Sequence, residues 1–294
     1  MDRMMQGFFS DRHMDPRMRR TQERSLNEVK REGELTVSIK KIEEFIRRSA
    51  VEIEKDGVLI DPETGRLNPM SYSSVYTADE IAVDNRRVDE QKAKWGSDVN
   101  KRILQGERLE LLKTAVFQKH MGNKFIVVRS SEYDDIFNNI DNVILNKKTG
   151  EVVCAIDDFC DNPNGRIGKD INTKKTRSEQ LNEFGAAKLK YSLGIDHSTG
   201  QNRPVAKGEE RKIPVFYLAI GPEDLEAYIK TFDTSGDSTG HSEINLLRIF
   251  ISQLTTQILE FGLPTKKTDP EVKEKALRFL DEIQPYLDKD ELIK

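Results

Sequence analysis

Apolar positions recur at a helical period in several stretches between residues 36 and 121, then change to short, nearly continuous runs. The helical pattern predicts helices at residues 36–55, from 77 or 79 to 95, and up to residue 121. The short runs predict strands at residues 124–129, 140–146, 151–157 and 213–220. Helical spacing also predicts helices at residues 178–193, 222–232, 242–261 and after residue 270.

The second and third strands are joined by the turn sequence Lys147-Lys148-Thr149-Gly150. A four-residue turn that contains glycine predicts an antiparallel hairpin. The apolar runs are continuous, which is typical of strands that are covered on both faces. The order helix, three strands, helix, strand therefore predicts an α/β fold, with a mixed central sheet flanked by helices and helical N- and C-terminal extensions.

Changes in composition and in the period of apolar positions predict four parts of the chain. They are a slightly basic disordered arm at 1–30, a helical N-terminal extension at 31–100, an α/β core at 101–262 and a C-terminal helical tail at 263–294. The arm is densest in arginine at Arg17, Arg19 and Arg20. It is either a solvated tail or a contact for a nucleic acid or a protein partner.

Composition narrows the class of protein. Of the 294 residues, 36% are hydrophobic and 33% are charged, so we expect only part of the length to build a core. The net charge of −4 excludes a uniformly basic coat but allows a local basic patch. No apolar run approaches the length that a bilayer needs. We therefore expect a soluble protein without a membrane partner. The two cysteines, Cys154 and Cys160, do not suggest a disulfide framework, so we expect the protein in the cytoplasm.

Two carboxylates mark the open end of the predicted hairpin. Asp141 begins the second strand and Asp157 ends the apolar run of the third. Acids seldom lie in such places without a metal, a partner or a raised pKa. With a main-chain carbonyl, such a pair forms a hard oxygen site that suits Mg²⁺ or Mn²⁺. Asp158 alternates with Asp157, so only one of these two side chains can face the site.

The order of elements, with Asp141 at one strand and an acid at the end of the next, resembles the core of the PD-(D/E)XK nuclease-like superfamily. The resemblance covers about residues 107–220 and implies a restriction-endonuclease-like core. It further implies a metal held by Asp141, Asp157 and the carbonyl of Asp158. The lysine that the family has two positions after the second acid is Phe159 in this chain. Either another lysine replaces it, or the site is no longer catalytic.

Lys188 is the candidate replacement. On a helix at residues 178–193 it falls near the centre of the apolar face, where a lysine is costly unless it reaches an anion or a metal-bound group. Some members of the superfamily supply the lysine from this following helix. The alternative is that Lys188 extends past a thin edge of the core to solvent. Gln180 is a secondary candidate on the flank of the same helix.

Further acids and a basic segment complete the candidate site. Glu110, or Glu107, on the preceding helix and Asp135, or Asp134, in the loop before the second strand are possible extra ligands. A DNA partner requires positive charge nearby. The polar loop predicted at 161–177 has such an excess, contributed by Arg166, Lys169, Lys174, Lys175 and Arg177.

These observations predict a divalent-metal-dependent phosphodiesterase that acts on DNA, in which Asp141 and Asp157 hold Mg²⁺ or Mn²⁺ and Lys188 positions the attacking water. The alternative is a catalytically inactive protein of the same fold. It would bind a protein, through the N-terminal helices, or a nucleic acid. An interaction protein of unrelated α/β fold also remains open.

Overall fold

A four-stranded mixed sheet lies at the centre of the computed structural model, which describes residues 16–54, 59–95, 100–160, 167–198, 203–234, 241–261, 263 and 266–287. The strands in chain order are β1 (Phe125–Arg129), β2 (Asn142–Asn146), β3 (Val152–Cys160), β4 (Lys188–Asp196), β5 (Arg203–Arg211) and β6 (Val215–Ile220). The central sheet has the order β1-β2-β3-β6, and β4 pairs with β5 in a separate hairpin. The pairs β1–β2 and β2–β3 are antiparallel and β3–β6 is parallel, so the predicted mixed sheet is confirmed.

Helices precede, connect and follow these strands. They are α1 (Pro16–Ile53), α2 (Ala78–Lys94), α3 (Asn100–Met121), α4 (Ile167–Phe184), α5 (Pro222–Thr231), α6 (His241–Phe261) and α7 (Pro270–Ile283). Two short 3₁₀ turns, Pro69–Tyr72 and Gln284–Leu287, and a π-helical turn, Asp134–Asn138, complete the regular elements of the described ranges. Among these helices, none has the length and apolar character that crossing a bilayer requires.

The turn between β2 and β3 has the geometry that its sequence predicts. The side-chain Oδ1 of Asn146 accepts the backbone N–H groups of Lys148 (2.8 Å) and Thr149 (3.1 Å). Gly150 has φ +68°, a conformation that L side chains rarely adopt. This local chemistry fixes the hairpin register, in which Asn142 lies opposite Ile156. Asp141 and the end of β3 therefore lie together at the open end of the hairpin.

Two apolar cores lie on opposite faces of the central sheet. The first core joins α1, α3, α6 and α7 to the sheet through side chains such as Leu112, Ile156, Phe250 and Phe279. The second core lies under the β4–β5 hairpin and the segment 59–76, and includes Ala155 and Tyr191. α7 lies in the C-terminal tail predicted from the sequence, but its side chains belong to the core of the sheet.

The helix predicted at residues 178–193 is wrong beyond residue 184. α4 ends at Phe184, and Gly185 has φ +58°, which favours termination of the helix at that residue. From Lys188 to Tyr191 the burial then alternates, as in a strand with one covered face, and residues 191–194 are all buried. The apolar residues of this short stretch fit a helical and a strand period, and tertiary packing selects the strand.

Two segments predicted without regular structure contain helix. α1 begins at Pro16, where a disordered arm was predicted to residue 30, and residues 1–15 lie outside the described ranges. Its N-terminal half is rich in residues with high helix propensity, so it extends the buried half cooperatively. α4 begins at Ile167, within the loop predicted at 161–177.

Candidate functional site

A cleft of about 500 Å³ lies beside the open end of the β2–β3 hairpin. It is bounded by α3, the C-terminal end of α2, residues 64–66 and the π-helical turn. We refer to it as the acid cleft. Among the residues that the structure describes, its charged lining consists of Glu107, Glu110, Glu132, Asp135, Asp141 and Asp158, with Arg66, Lys92 and Arg129.

Asp158, not Asp157, faces the acid cleft. Asp158 lines the cleft and contacts Lys113 of α3 through its side chain. Side chains alternate between the faces of a strand, so Asp157 points to the opposite face with Ala155, which belongs to the second core. The prediction that Asp157 joins Asp141 in one site is therefore corrected, because the face of β3 that carries Ile156 and Asp158 is the one that packs against α3.

The contact between Lys113 and Asp158 is buried. The Lys113 side chain is 0% exposed and the Asp158 side chain is 2% exposed, and Nζ of Lys113 donates to Oδ2 of Asp158. Burial raises the pKa of the Asp158 carboxyl to about 7, although the charge of Lys113 acts to lower it. The other oxygen, Oδ1, is buried without a hydrogen-bond partner. Asp158 thus keeps an unsatisfied oxygen next to the cleft.

Asp141 is tied to Asp158 through the backbone. The N–H of Asp158 donates to Oδ2 of Asp141, and the N–H of Asp141 donates to the carbonyl of Ile156 (2.8 Å). The charge of Asp141 also acts to raise the pKa of the Asp158 carboxyl. These contacts hold the carboxylate of Asp141, the residue before β2, against the backbone of Asp158 in β3, so the acid that shares the cleft with Asp141 is Asp158 instead of the predicted Asp157.

Glu110 lies on α3, one turn before Lys113, between two arginines. Its Oε2 accepts Nη2 of Arg66 (2.9 Å) and Nη2 of Arg129 (2.8 Å). Burial acts to raise the pKa of Glu110, but the charges of Arg66 and Arg129 outweigh it and hold the pKa below its usual value. Oε1 of Glu110 is buried without a partner. Glu110 therefore contributes a second unsatisfied carboxylate oxygen.

Asp135 enters the cleft from the π-helical turn and contacts Nη1 of Arg66 (3.1 Å). Burial and the charge of Asp141 raise its pKa well above its usual value. Its neighbour Asp134 is fully buried and fixes the turn. The Asp134 carboxylate accepts Ser131 Oγ (2.7 Å), Asn138 Nδ2 (2.6 Å) and the backbone N–H groups of Lys190 and Tyr191 (2.7 and 3.1 Å).

Several of the predicted site residues do not line the acid cleft. Lys188 is exposed at the first position of β4, so the apolar helix face that was to direct it into the core does not exist. Gln180 is exposed on α4, outside the lining of the acid cleft. Of the predicted basic segment, Arg166 lies outside the described residues, and so do the side chains of Lys169 and Lys174 on α4. Lys175 lies 3.9 Å from Glu260, and neither it nor Arg177 lines the cleft.

The sequence does contain an indication that Lys113 is buried. Lys113 is four residues after Leu109 and four before Phe117, so it shares their apolar helix face. Arg66 and Trp95 also reach the cleft, but they come from distant segments and no local pattern marks them. The position two residues after Asp158 is Cys160, so Asp158 has no lysine at the spacing found in the superfamily.

Within the described part of the chain, no three His, Cys, Asp or Glu side chains are grouped so that they could hold a metal ion. The acid cleft offers fewer cation ligands than such a group. Its hard carboxylate oxygens include the two buried unpaired atoms, Glu110 Oε1 and Asp158 Oδ1. Mg²⁺ is often bound by only one or two carboxylates, with water and substrate phosphate completing its shell. The donor chemistry therefore fits a divalent cation that shares its ligands with a substrate.

Comparison with known proteins returns no match, whether to a family model, to a curated protein or to a solved structure.

Proposed function

We propose that this protein is a Mg²⁺- or Mn²⁺-dependent phosphodiesterase that acts on DNA, with the acid cleft as its active site. One observation carries the proposal. Glu110 of α3, Asp141 just before β2 and Asp158 near the end of β3 converge in one cleft with two buried, unpaired carboxylate oxygens. The order of these elements supports the resemblance to the PD-(D/E)XK nuclease-like superfamily.

Asp141 and Asp158 are the proposed cation ligands. The backbone link between them keeps both carboxylates at the same end of the hairpin, and the hydrogen bond from Asp158 N–H holds Asp141 in one orientation. A divalent cation supplies two effects in such a site: it lowers the pKa of a bound water and neutralises charge that develops on the phosphate.

Lys113 takes the place of the lysine that β3 lacks. Its ammonium group donates to Asp158 Oδ2, on the side of the carboxylate away from the unpaired Oδ1. This contact orients Asp158 and favours its ionised form, which is the form that binds a cation. Lys113 is fully buried, so its role is to position Asp158 rather than to contact a solvent-borne substrate.

Arg66 and Arg129 hold Glu110 ionised and border the space where a phosphate would lie. Six acids and three bases line the described surface of the cleft, which is unfavourable for an anionic substrate on its own. A bound divalent cation offsets part of this repulsion. Substrate binding should therefore depend on the cation as well as on the arginines.

A second function is favoured by the same ion pairs. Lys113, Arg66 and Arg129 already occupy one oxygen each of Asp158 and Glu110, and Phe159 and Cys160 stand where a catalytic lysine would be expected. A cleft neutralised in this way is consistent with a catalytically inactive protein of the same fold. It would then bind a nucleic acid or a protein.

The test is cleavage of fluorescently labelled single- and double-stranded DNA with Mg²⁺, Mn²⁺ or EDTA. We expect cleavage that requires the cation and is lost in Asp141→Asn. The matched control is Asp196→Asn, because Asp196 ends β4 away from the cleft. Equal cleavage by Asp141→Asn would assign the activity to a contaminant. Binding without cleavage under all conditions would favour the second function.

A further inference from the structure

The only tryptophan of the chain, Trp95, stands at the mouth of the acid cleft. It follows directly after α2, and its backbone N–H donates to the carbonyl of Lys92 (3.0 Å). The residue is 38% exposed, which is unusual for the largest apolar side chain. Lys92 and Ile136 line the same cleft. The cleft thus combines an exposed aromatic ring and a lysine with the nearly buried carboxylates of Glu110 and Asp158.

We propose that Trp95 stacks on a base of a single-stranded nucleic acid and so makes an unpaired strand the preferred substrate. This inference rests on the proposed function, because it assigns the substrate class of the same cleft. Aromatic rings that accept successive bases beside a cationic track are typical of proteins that bind single strands. In a duplex, the faces of the bases are covered by their neighbours, so the ring could reach only an end or a disrupted pair.

The size of the cleft supports a strand rather than a duplex. Its volume of about 500 Å³ lies in the range of pockets that enclose one small molecule. A nucleotide that entered past Trp95 would bring its phosphate toward Arg66 and Arg129, which line the same cleft and are far less exposed than Trp95. Nε of Arg129 is buried without a hydrogen-bond partner, so that guanidinium retains an unused donor.

Lys92 can turn toward a phosphate at little cost. Its ion pair with Glu132 (2.5 Å) is at the surface, with side chains 43% and 50% exposed. Exposed pairs of this kind contribute little to stability. By contrast, Arg66 is held by Glu110 and Asp135 and would keep its place. The lining of the cleft therefore combines Trp95 with one weakly held and one firmly held cation.

Trp95 is also a direct reporter, since no other tryptophan contributes to the fluorescence. We would titrate the full-length protein with a short oligothymidylate and, separately, with a blunt duplex of the same length, in Ca²⁺ buffer. We expect the single strand to quench the fluorescence and to bind more tightly than the duplex. An unchanged spectrum at saturation, or equal affinity for the duplex, would overturn the proposal.

Variants give the second readout, from the anisotropy of a labelled oligothymidylate. Trp95→Ala should weaken binding about 10-fold, because stacking on one base contributes roughly 1–3 kcal/mol, whereas Trp95→Phe should retain most of the affinity. Phe184→Ala is the matched control, since Phe184 is a 70%-exposed aromatic residue outside the cleft. Equal losses in Trp95→Ala and Phe184→Ala would refute the assignment. Tight, Trp95-dependent binding without cation-dependent cleavage would refute the phosphodiesterase and leave the stacking role standing.

Discussion

Nζ of Lys113 donates to Oδ2 of Asp158 in the interior between α3 and β3, where neither side chain reaches solvent. This ion pair joins the helix that precedes the sheet to the strand that ends in the candidate site. It also explains why the pKa of Asp158 does not rise further, since the charge of Lys113 opposes the effect of burial.

Removal of Lys113 should destabilise the fold. Lys113→Met leaves Asp158 buried without its counter-charge, and breaking a buried pair costs about 3 kcal/mol or more. We expect this loss in the free energy of unfolding measured with urea. Lys113→Met combined with Asp158→Leu should recover most of it, because both charges are then absent.

Lys92→Met is the control for that experiment. The Lys92–Glu132 pair is half exposed, so its loss should change the free energy of unfolding by less than about 1 kcal/mol. The account of the buried pair is contradicted if the Lys113 and Lys92 variants lose similar amounts of stability.

Asp134 should be indispensable for the π-helical turn. Asp134→Ala leaves four buried or half-buried donors without their acceptor: Ser131 Oγ, Asn138 Nδ2 and the N–H groups of Lys190 and Tyr191. We expect the free energy of unfolding to fall by about 4 kcal/mol or more, since each of the four unsatisfied groups costs roughly 1 kcal/mol or more. Asp89→Ala, at an exposed position of α2, should have little effect. Similar urea midpoints for the two variants would be the contrary result.

The contact between α1 and α5 should depend on pH. Glu226 accepts Nε of Arg31 (2.6 Å), and this hydrogen bond is the main reason that the pKa of Glu226 falls from 4.5 to about 2. An acid with a lowered folded-state pKa stabilises the fold above its unfolded value, and that stability is lost as the pH falls through the folded value. Glu226→Gln should therefore be less stable than the unmodified chain at about pH 7, and the gap should close between about pH 4.5 and pH 2.

Glu44→Gln on α1, the helix that carries Arg31, is the control variant. Glu44 pairs with Arg47 one turn away at an exposed position, so its substitution should have a small effect at every pH. The measurement is the stability of both variants and of the unmodified chain, from thermal or urea unfolding at pH values from about 7 down to about 2. A constant gap between Glu226→Gln and the unmodified chain would contradict the role of the Arg31 contact.

The parts of the fold that depend on local chemistry were predictable from the sequence. The turn at 147–150 fixes the β2–β3 hairpin, and it placed Asp141 at the open end of that hairpin. The choice between Asp157 and Asp158 depends on which face of β3 meets α3, and this is a tertiary relationship that no local pattern contains. Arg66 and Trp95 reach the cleft from segments far away in the chain, for the same reason.

The error at Lys188 has a different origin. Residues 178–193 satisfy a helical period, but Leu189, Tyr191, Leu193 and Ile195 also alternate with a period of two. Gly185 between the two patterns marked the point of change. Lys113, by contrast, could have been found, because its place on the apolar face of α3 follows from the same helical spacing that identified the helix.

Adjacent aspartates on opposite faces of β3 allow the most direct test of the proposed site. We would measure Mn²⁺-dependent cleavage of labelled single-stranded DNA by Asp158→Asn and Asp157→Asn, which are isosteric changes one residue apart. The account predicts that cleavage is abolished in Asp158→Asn and retained in Asp157→Asn. Retained cleavage in Asp158→Asn, or its loss only in Asp157→Asn, would contradict the assignment of the acid cleft as the active site.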